Sequence, residues 1–124
     1  MWKRICEIPG YTKILPCYFV DDTGRVYTHK GNVKVIQDPG GYDTVRLNTR
    51  TIKKNKSGII SYKTKKLKIH RIVANAFLYR IPHKHGDNVH HKDFNKHNND
   101  YRNLEWIGRY KHMRLHQMHQ MREF

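Results

Sequence analysis

Acidic residues are scarce in this chain. Ten Asp and Glu stand against 25 Lys and Arg in 124 residues, a formal net charge of +15. An excess of that size attracts polyanions, nucleic acid first among them; the plain alternative is a solvated basic surface. Long apolar runs are missing too. No stretch of about 20 apolar residues occurs, which excludes a membrane-spanning helix. The start Met1-Trp2-Lys3-Arg4 is charged but is followed by no apolar signal core, so secretion is not expected and a cytoplasmic location is. Cysteine is limited to Cys6 and Cys17, with no Cys-x-x-Cys pair. Reduced thiols are expected, with a single disulfide as the alternative. There is no internal repeat or low-complexity tract, and the length suits one domain. What the chain has in plenty is histidine: ten, of which eight fall at or after His83.

The first half carries strand and turn signals. Cys17-Tyr18-Phe19-Val20, the turn Asp21-Asp22-Thr23-Gly24 and Arg25-Val26-Tyr27-Thr28 predict a hairpin. Val33 to Gln37 predicts another strand, Pro39-Gly40-Gly41 a break, and Tyr42 to Leu47 a further alternating strand. Residues 50–71 hold nine Lys or Arg and no acid, with strand-like runs at Ile59–Tyr62 and Leu67–Ile69. This reads as a basic hairpin. From His70 to Tyr79 the period changes: Ile72, Val73, Ala76 and Phe77 fall at helical spacing, and Pro82 is expected to end that helix. His83 to Asn88 is polar and reads as a loop.

The chemistry is expected in residues 90–116. Val89-His90-His91 reads as a strand end, Lys92 to Arg102 as a loop, Leu104 to Ile107 as a second strand and Arg109 to about Met121 as a helix. His112 and His116, four apart on that helix, project from one face. A hairpin packed on this face brings His90 to them, and three imidazoles with open positions make a catalytic metal site. Neighbouring strand residues point to opposite sides, so His91 is excluded from the ion that His90 binds. A histidine free of metal titrates near neutral pH and can deprotonate water. Each part alone is commonplace. A His pair at this spacing is frequent on surface helices, Asn103 alone could be a turn residue, and Trp106 reads as core. Their order and close spacing in a basic chain carry the argument.

Val89-His90-His91-Lys92-Asp93-Phe94-Asn95-Lys96-His97-Asn98-Asn99, Arg102-Asn103-Leu104-Glu105-Trp106 and Lys111-His112-Met113-Arg114-Leu115-His116 together resemble the HNH endonucleases, above all their homing and phage-type branch. His70-Arg71-Ile72-Val73-Ala74-Asn75-Ala76-Phe77 is similar to the helix that precedes the motif there. Ile8-Pro9-Gly10-Tyr11 and Thr23-Gly24-Arg25-Val26 resemble the N-terminal module often fused to it. The resemblance implies an α+β fold: a small β-rich N-terminal region, a short helix, and a C-terminal ββα-metal motif. The expected division is 1–69 as a basic DNA-contacting region and 70–124 as the nuclease region, in one compact domain.

The resemblance also implies roles. His90 matches the first metal ligand, His91 the general base, Asn103 the asparagine that braces the loop, His112 the last motif letter and a ligand, and His116 an additional ligand found in some branches. Double-stranded DNA is the implied partner, docked by Lys53, Lys54, Lys56, Lys63, Lys65, Lys66, Lys68 and Arg71, with Arg114 and Lys111 adding charge beside the phosphate. The cofactor is a divalent ion, Mg²⁺ or Mn²⁺, with Zn²⁺ or Ni²⁺ brought in by the all-histidine ligand set. The expected product is a nick per active site, from a monomer or a homodimer. A phage origin is implied, and with it the host cytoplasm. Homing members often carry a C-terminal helix-turn-helix; with the chain stopping at Phe124, either sequence reading falls to the basic hairpin of residues 50–71 and the N-terminal sheet, or specificity is low. The alternative is a non-catalytic nucleic-acid-binding module whose histidines hold a structural zinc, with His97 or His119 as fourth ligand.

Overall fold

The computed structural model describes residues 1–80 and 87–122. Pro82 and residues 83–86 of the expected polar loop lie outside them. The N-terminal sheet is antiparallel, in the order β1 (Trp2–Arg4), β2 (Phe19–Asp21), β3 (Val26–Thr28) and β4 (Gly31–Asn32). The predicted hairpin is β2–β3, with Val20 paired to Val26. Asp21 builds its turn: one carboxylate oxygen accepts from the Thr23 and Arg25 amides at 3.1 and 2.9 Å. Gly24 follows at φ +93°, a left-handed conformation that a side chain resists. The strand β1 carries no alternation signal and was not legible in the sequence. The expected strand Val33–Gln37 is cut to β5, Ile36–Gln37, which pairs with the first two residues of the next strand.

The basic hairpin is longer than its charge predicts. It consists of β6 (Asp43–Lys54) and β7 (Ile60–Lys68), so it begins inside the core rather than at Arg50. Val45 and Leu47 at its root are fully buried. The register shifts between Asn48 and Ile52, and residues 50–66 beyond are exposed. At roughly 3.3 Å per residue, the arm from Asn48 to Lys54 reaches about 20 Å. Asn55 closes the tip, its side-chain oxygen accepting from the Ile59 amide at 2.9 Å.

The helix α1 (Ile69–Phe77) follows β7 without a loop. Ile69, expected to end the strand, is instead its first residue. Burial decides this: Ile69, Ile72, Val73, Ala74 and Ala76 all join the core cluster formed with Ile5, Val20, Val45, Leu47, Val89 and Leu104. α1 therefore packs on both the N-terminal strands and the C-terminal motif. It ends where Leu78 turns extended, its amide on the Ala74 carbonyl at 3.1 Å.

The C-terminal motif follows the predicted order. β8 (Asp87–His91) and β9 (Leu104–Gly108) pair antiparallel, with His90 opposite Glu105 and His91 opposite Leu104. Asp87, Asn88 and Gly108 belong to strands rather than to the predicted loop and break. The helix α2 (Arg109–Arg122) starts directly after β9 and packs on both strands. Both cysteines are free thiols. No helix among the described residues is long and apolar enough to cross a membrane.

Candidate metal centre and nucleic-acid interface

β8 ends in two histidines that the pleat sends apart. His90 turns toward α2. Its ring centre lies 5.4 Å from that of His112 and 5.6 Å from that of His116. The helical spacing places His112 and His116 together, with their Nε2 atoms 3.0 Å apart. One nitrogen from each of the three lies within 4.8 Å of the others, a group able to hold a metal ion. His90 is 3% exposed, and its buried Nδ1 has no hydrogen-bond partner among the described residues. An orphaned nitrogen of that kind costs about 1–3 kcal/mol unless something takes its lone pair or proton. The electrostatics favour lone pairs: burial, then the neighbouring imidazoles, pushes His112 down to about 4, and burial lowers His90 and His116 as well. Neutral imidazoles are what a metal requires.

Phe94 walls the cluster. Its edge contacts with His90 and His116 have centroid distances of 4.8 and 5.1 Å, and it stacks on His119 at 3.9 Å. It sits at φ +60°, uncommon for a bulky residue, at a sharp turn where its amide bonds the His91 carbonyl at 2.9 Å. Asn103 holds that loop in shape. Its oxygen accepts from the Asp93 amide at 3.1 Å, and its nitrogen donates to Asp93 Oδ1 and the Asn98 carbonyl, both at 2.9 Å.

His91 faces the other side of the strand. Its Nε2 meets Asn99 Oδ1 at 2.9 Å, and its ring lies against His70 and Tyr42 with centroids 5.0 and 6.0 Å away. Burial lowers its pKa, and the Asn99 hydrogen bond works against that. His70 is more extreme: burial, then the neighbouring His91 and Lys68, takes it to about 3. A second positive charge is thus kept away from His91.

The predicted cluster His90, His112 and His116 is brought together. His97 sits instead on Asp43, with Nδ1 at 2.7 Å, and His119 on Phe94; neither joins the three-histidine group. Lys53, Lys54, Lys56, Lys63, Lys65, Lys66 and Lys68 are all exposed on the β6–β7 arm or its tip. Lys65, Lys66 and Lys68 line a groove of about 390 Å³ with Tyr11, Arg71 and Arg80. Arg71 is half-buried, its guanidinium 5.5 Å from the Trp106 ring centre, and Arg114 is exposed on α2. Sequence reasoning missed Asp43, Tyr42, His70, Phe94 and Asn99. Only Phe94 and Asn99 lay within the motif, and nothing there set them apart from ordinary loop residues.

No family model matches the chain. Over 91 residues it is 33% identical to an uncharacterised HNH endonuclease of Acanthamoeba polyphaga mimivirus, a match spanning 72% of this chain and 24% of that protein. Its fold is similar to the solved structure of the HNH homing endonuclease I-HmuI, a structure that describes DNA binding and cleavage. The TM-score is 0.64 and the identity 30%, over 99% of this chain and 59% of that one. The chain belongs to the HNH endonuclease family. The residues expected as the HNH letters, His91, Asn103 and His112, lie at the end of β8, in the turn just before β9 and on α2. The chain spans about a quarter of the viral relative and under two thirds of the solved homing endonuclease.

Proposed function

We propose that this chain is a divalent-metal-dependent endonuclease that hydrolyses phosphodiester bonds of double-stranded DNA, one strand per active site. The observation that carries this reading is the opposed pair on β8: His90 buried against His112 and His116, and His91 turned away from them. One strand then supplies a metal ligand and a proton acceptor without competition for the same ion. The solved neighbour, whose printed title describes DNA binding and cleavage, supports the same chemistry. His91 takes a proton from water as its oxygen attacks phosphorus in line, and the P–O3′ bond breaks. An ion on His90, His112 and His116 would polarise the phosphate and stabilise the departing oxygen. Asn103 keeps the loop after His91 in shape. The basic arm and the Lys65–Arg71 groove contact phosphates, which positions the duplex without reading its sequence. Three imidazoles without a carboxylate admit Mn²⁺, Zn²⁺ or Ni²⁺ as readily as Mg²⁺.

The competing reading, a non-catalytic module with a structural zinc, needs a closed four-ligand site. Among the described residues the group has three members, which favours the open, catalytic arrangement. Plasmid relaxation across a panel of divalent ions tests the proposal. Chelator should stop nicking and one of the ions restore it. His91→Ala should lower nicking on the order of 10²- to 10⁴-fold while leaving the gel shift intact. His112→Ala should reduce bound metal. Normal nicking by His91→Ala would remove His91 from the chemistry.

A further inference from the structure

We infer that Asp43, at the root of the basic hairpin, fixes which nitrogen of His91 carries the proton, acting through Asn99. The inference rests on the reading of His91 as proton acceptor. Three groups stand in a row: His91 Nε2 lies 2.9 Å from Asn99 Oδ1, and Asn99 Nδ2 donates to Asp43 Oδ2 at 3.2 Å. The other Asp43 oxygen receives Gln37 Nε2 at 3.1 Å and meets His97 Nδ1 at 2.7 Å.

The direction of the chain follows from what each group can do. A carboxylate has acceptors only, so Asn99 must present its amide nitrogen to Asp43. Its carbonyl oxygen then faces His91, and an oxygen there can only accept. His91 must therefore hold its proton on Nε2 and keep its lone pair on Nδ1, the one nitrogen left to accept a proton from water. Remove the carboxylate and the amide loses its orientation, because its two ends differ little in shape. Turned over, it would donate to Nε2 and put the proton on Nδ1, a tautomer that cannot accept one there.

The rest of Asn99 has no such freedom. It is 5% exposed, and a Cβ built on Gly24 would meet Asn99 Cβ at 2.7 Å and its carbonyl oxygen at 2.9 Å. The backbone is seated against that turn, and rotation of the amide is the degree of freedom that remains. Asp43 is the first residue of β6, whose far end is the exposed basic arm. Among the described residues its carboxylate bonds Gln37, His97 and Asn99 and none of His90, His112 or His116, so it is a positioning residue.

The test uses the full chain with Mg²⁺ at neutral pH, with nitrogen-15 labelled histidine and plasmid nicking measured in parallel. Wild type should show the Nε2–H tautomer at His91. Asp43→Asn, nearly the same in shape, should give a mixed or Nδ1–H signature and a kcat about 10-fold or more lower, with KM for DNA unchanged. The exchanged double variant Asp43→Asn with Asn99→Asp puts a carboxylate against His91 and an amide behind it. It should restore both the Nε2–H signature and nicking to within a few fold of wild type. A staple that merely joins two segments predicts the contrary: Asp43→Asn melts earlier, yet keeps the tautomer and kcat. That result would overturn the inference. Because the tautomer is read independently of cleavage, a shifted tautomer in Asp43→Asn, together with full nicking by both Asp43→Asn and His91→Ala, would refute the base reading while leaving the control by Asp43 in place.

Discussion

The two helices are held by different physics. α1 spans nine residues and buries six of them, Ile69, His70, Ile72, Val73, Ala74 and Ala76, inside the shared core. α2 spans fourteen and, through residue 121, buries none. Charged and polar side chains surround it nearly all the way round. A helix of that kind gains little from apolar burial and needs another anchor. On the proposed reading, an ion held by His112, His116 and His90 would be that anchor. α1 is a structural axle, while α2 would be a clamp closed by the proposed ion. The chain therefore places two of the three grouped histidines on the least self-sufficient element it has.

The sharpest way to break the comparison is in the core. Ile72→Ala should cost about 2–5 kcal/mol of global stability by urea unfolding, the usual range for a fully buried isoleucine. Met113→Ala, on a half-exposed side chain of α2, should stay within roughly 0.5 kcal/mol. Equal costs at the two sites would erase the distinction.

Acid probes α1 next. His70 lies in its first turn, buried, with a folded-state pKa of about 3 against 6.5 for the free group. The unfolded chain therefore binds a proton that the folded chain refuses, and protonation favours unfolding. His70 leaves stability unaffected above about pH 6.5 and removes it progressively between 6.5 and 3. His112, at about 4, acts in the same direction. In metal-free protein, His70→Leu should flatten that acid limb without abolishing it. Superimposable limbs for wild type and variant would exclude His70 as a source.

The smallest effect should be local. Chelator should speed hydrogen exchange of α2 amides and leave α1 amides as they were, because metal binding and ordering of its ligand segment are coupled. Exchange that quickens equally in both helices would tie α2 to the core after all.

The same contrast explains what was legible in the sequence. The strand–loop–strand–helix order and the histidine spacing are local, so His90, His91, Asn103, His112 and His116 could be placed from the chain alone. The alternation at Tyr42–Leu47 marked the root of the basic hairpin as strand and charge marked residues 50–71, but no local signal joined the two into the single strand β6. Ile69 misled because a β-branched residue beside a strand is ordinarily strand, and tertiary burial overrode that preference. The link from Asp43 to Asn99 crosses 56 positions of sequence between residues of unremarkable type. No local pattern encodes such a contact.

The turn at Gly24 bears on how the HNH motif of this chain can be transplanted. It abuts the Asn99 backbone with no room for a side chain, and beside it the Asp22 carbonyl receives the Tyr101 amide at 2.9 Å. The loop of the HNH motif is thus moulded against a turn almost eighty residues upstream. A cassette excised at the start of α1 would carry every motif letter yet leave half the mould behind. Grafts of this C-terminal segment onto other DNA-binding scaffolds should travel with the N-terminal turn, or with a substitute for its surface.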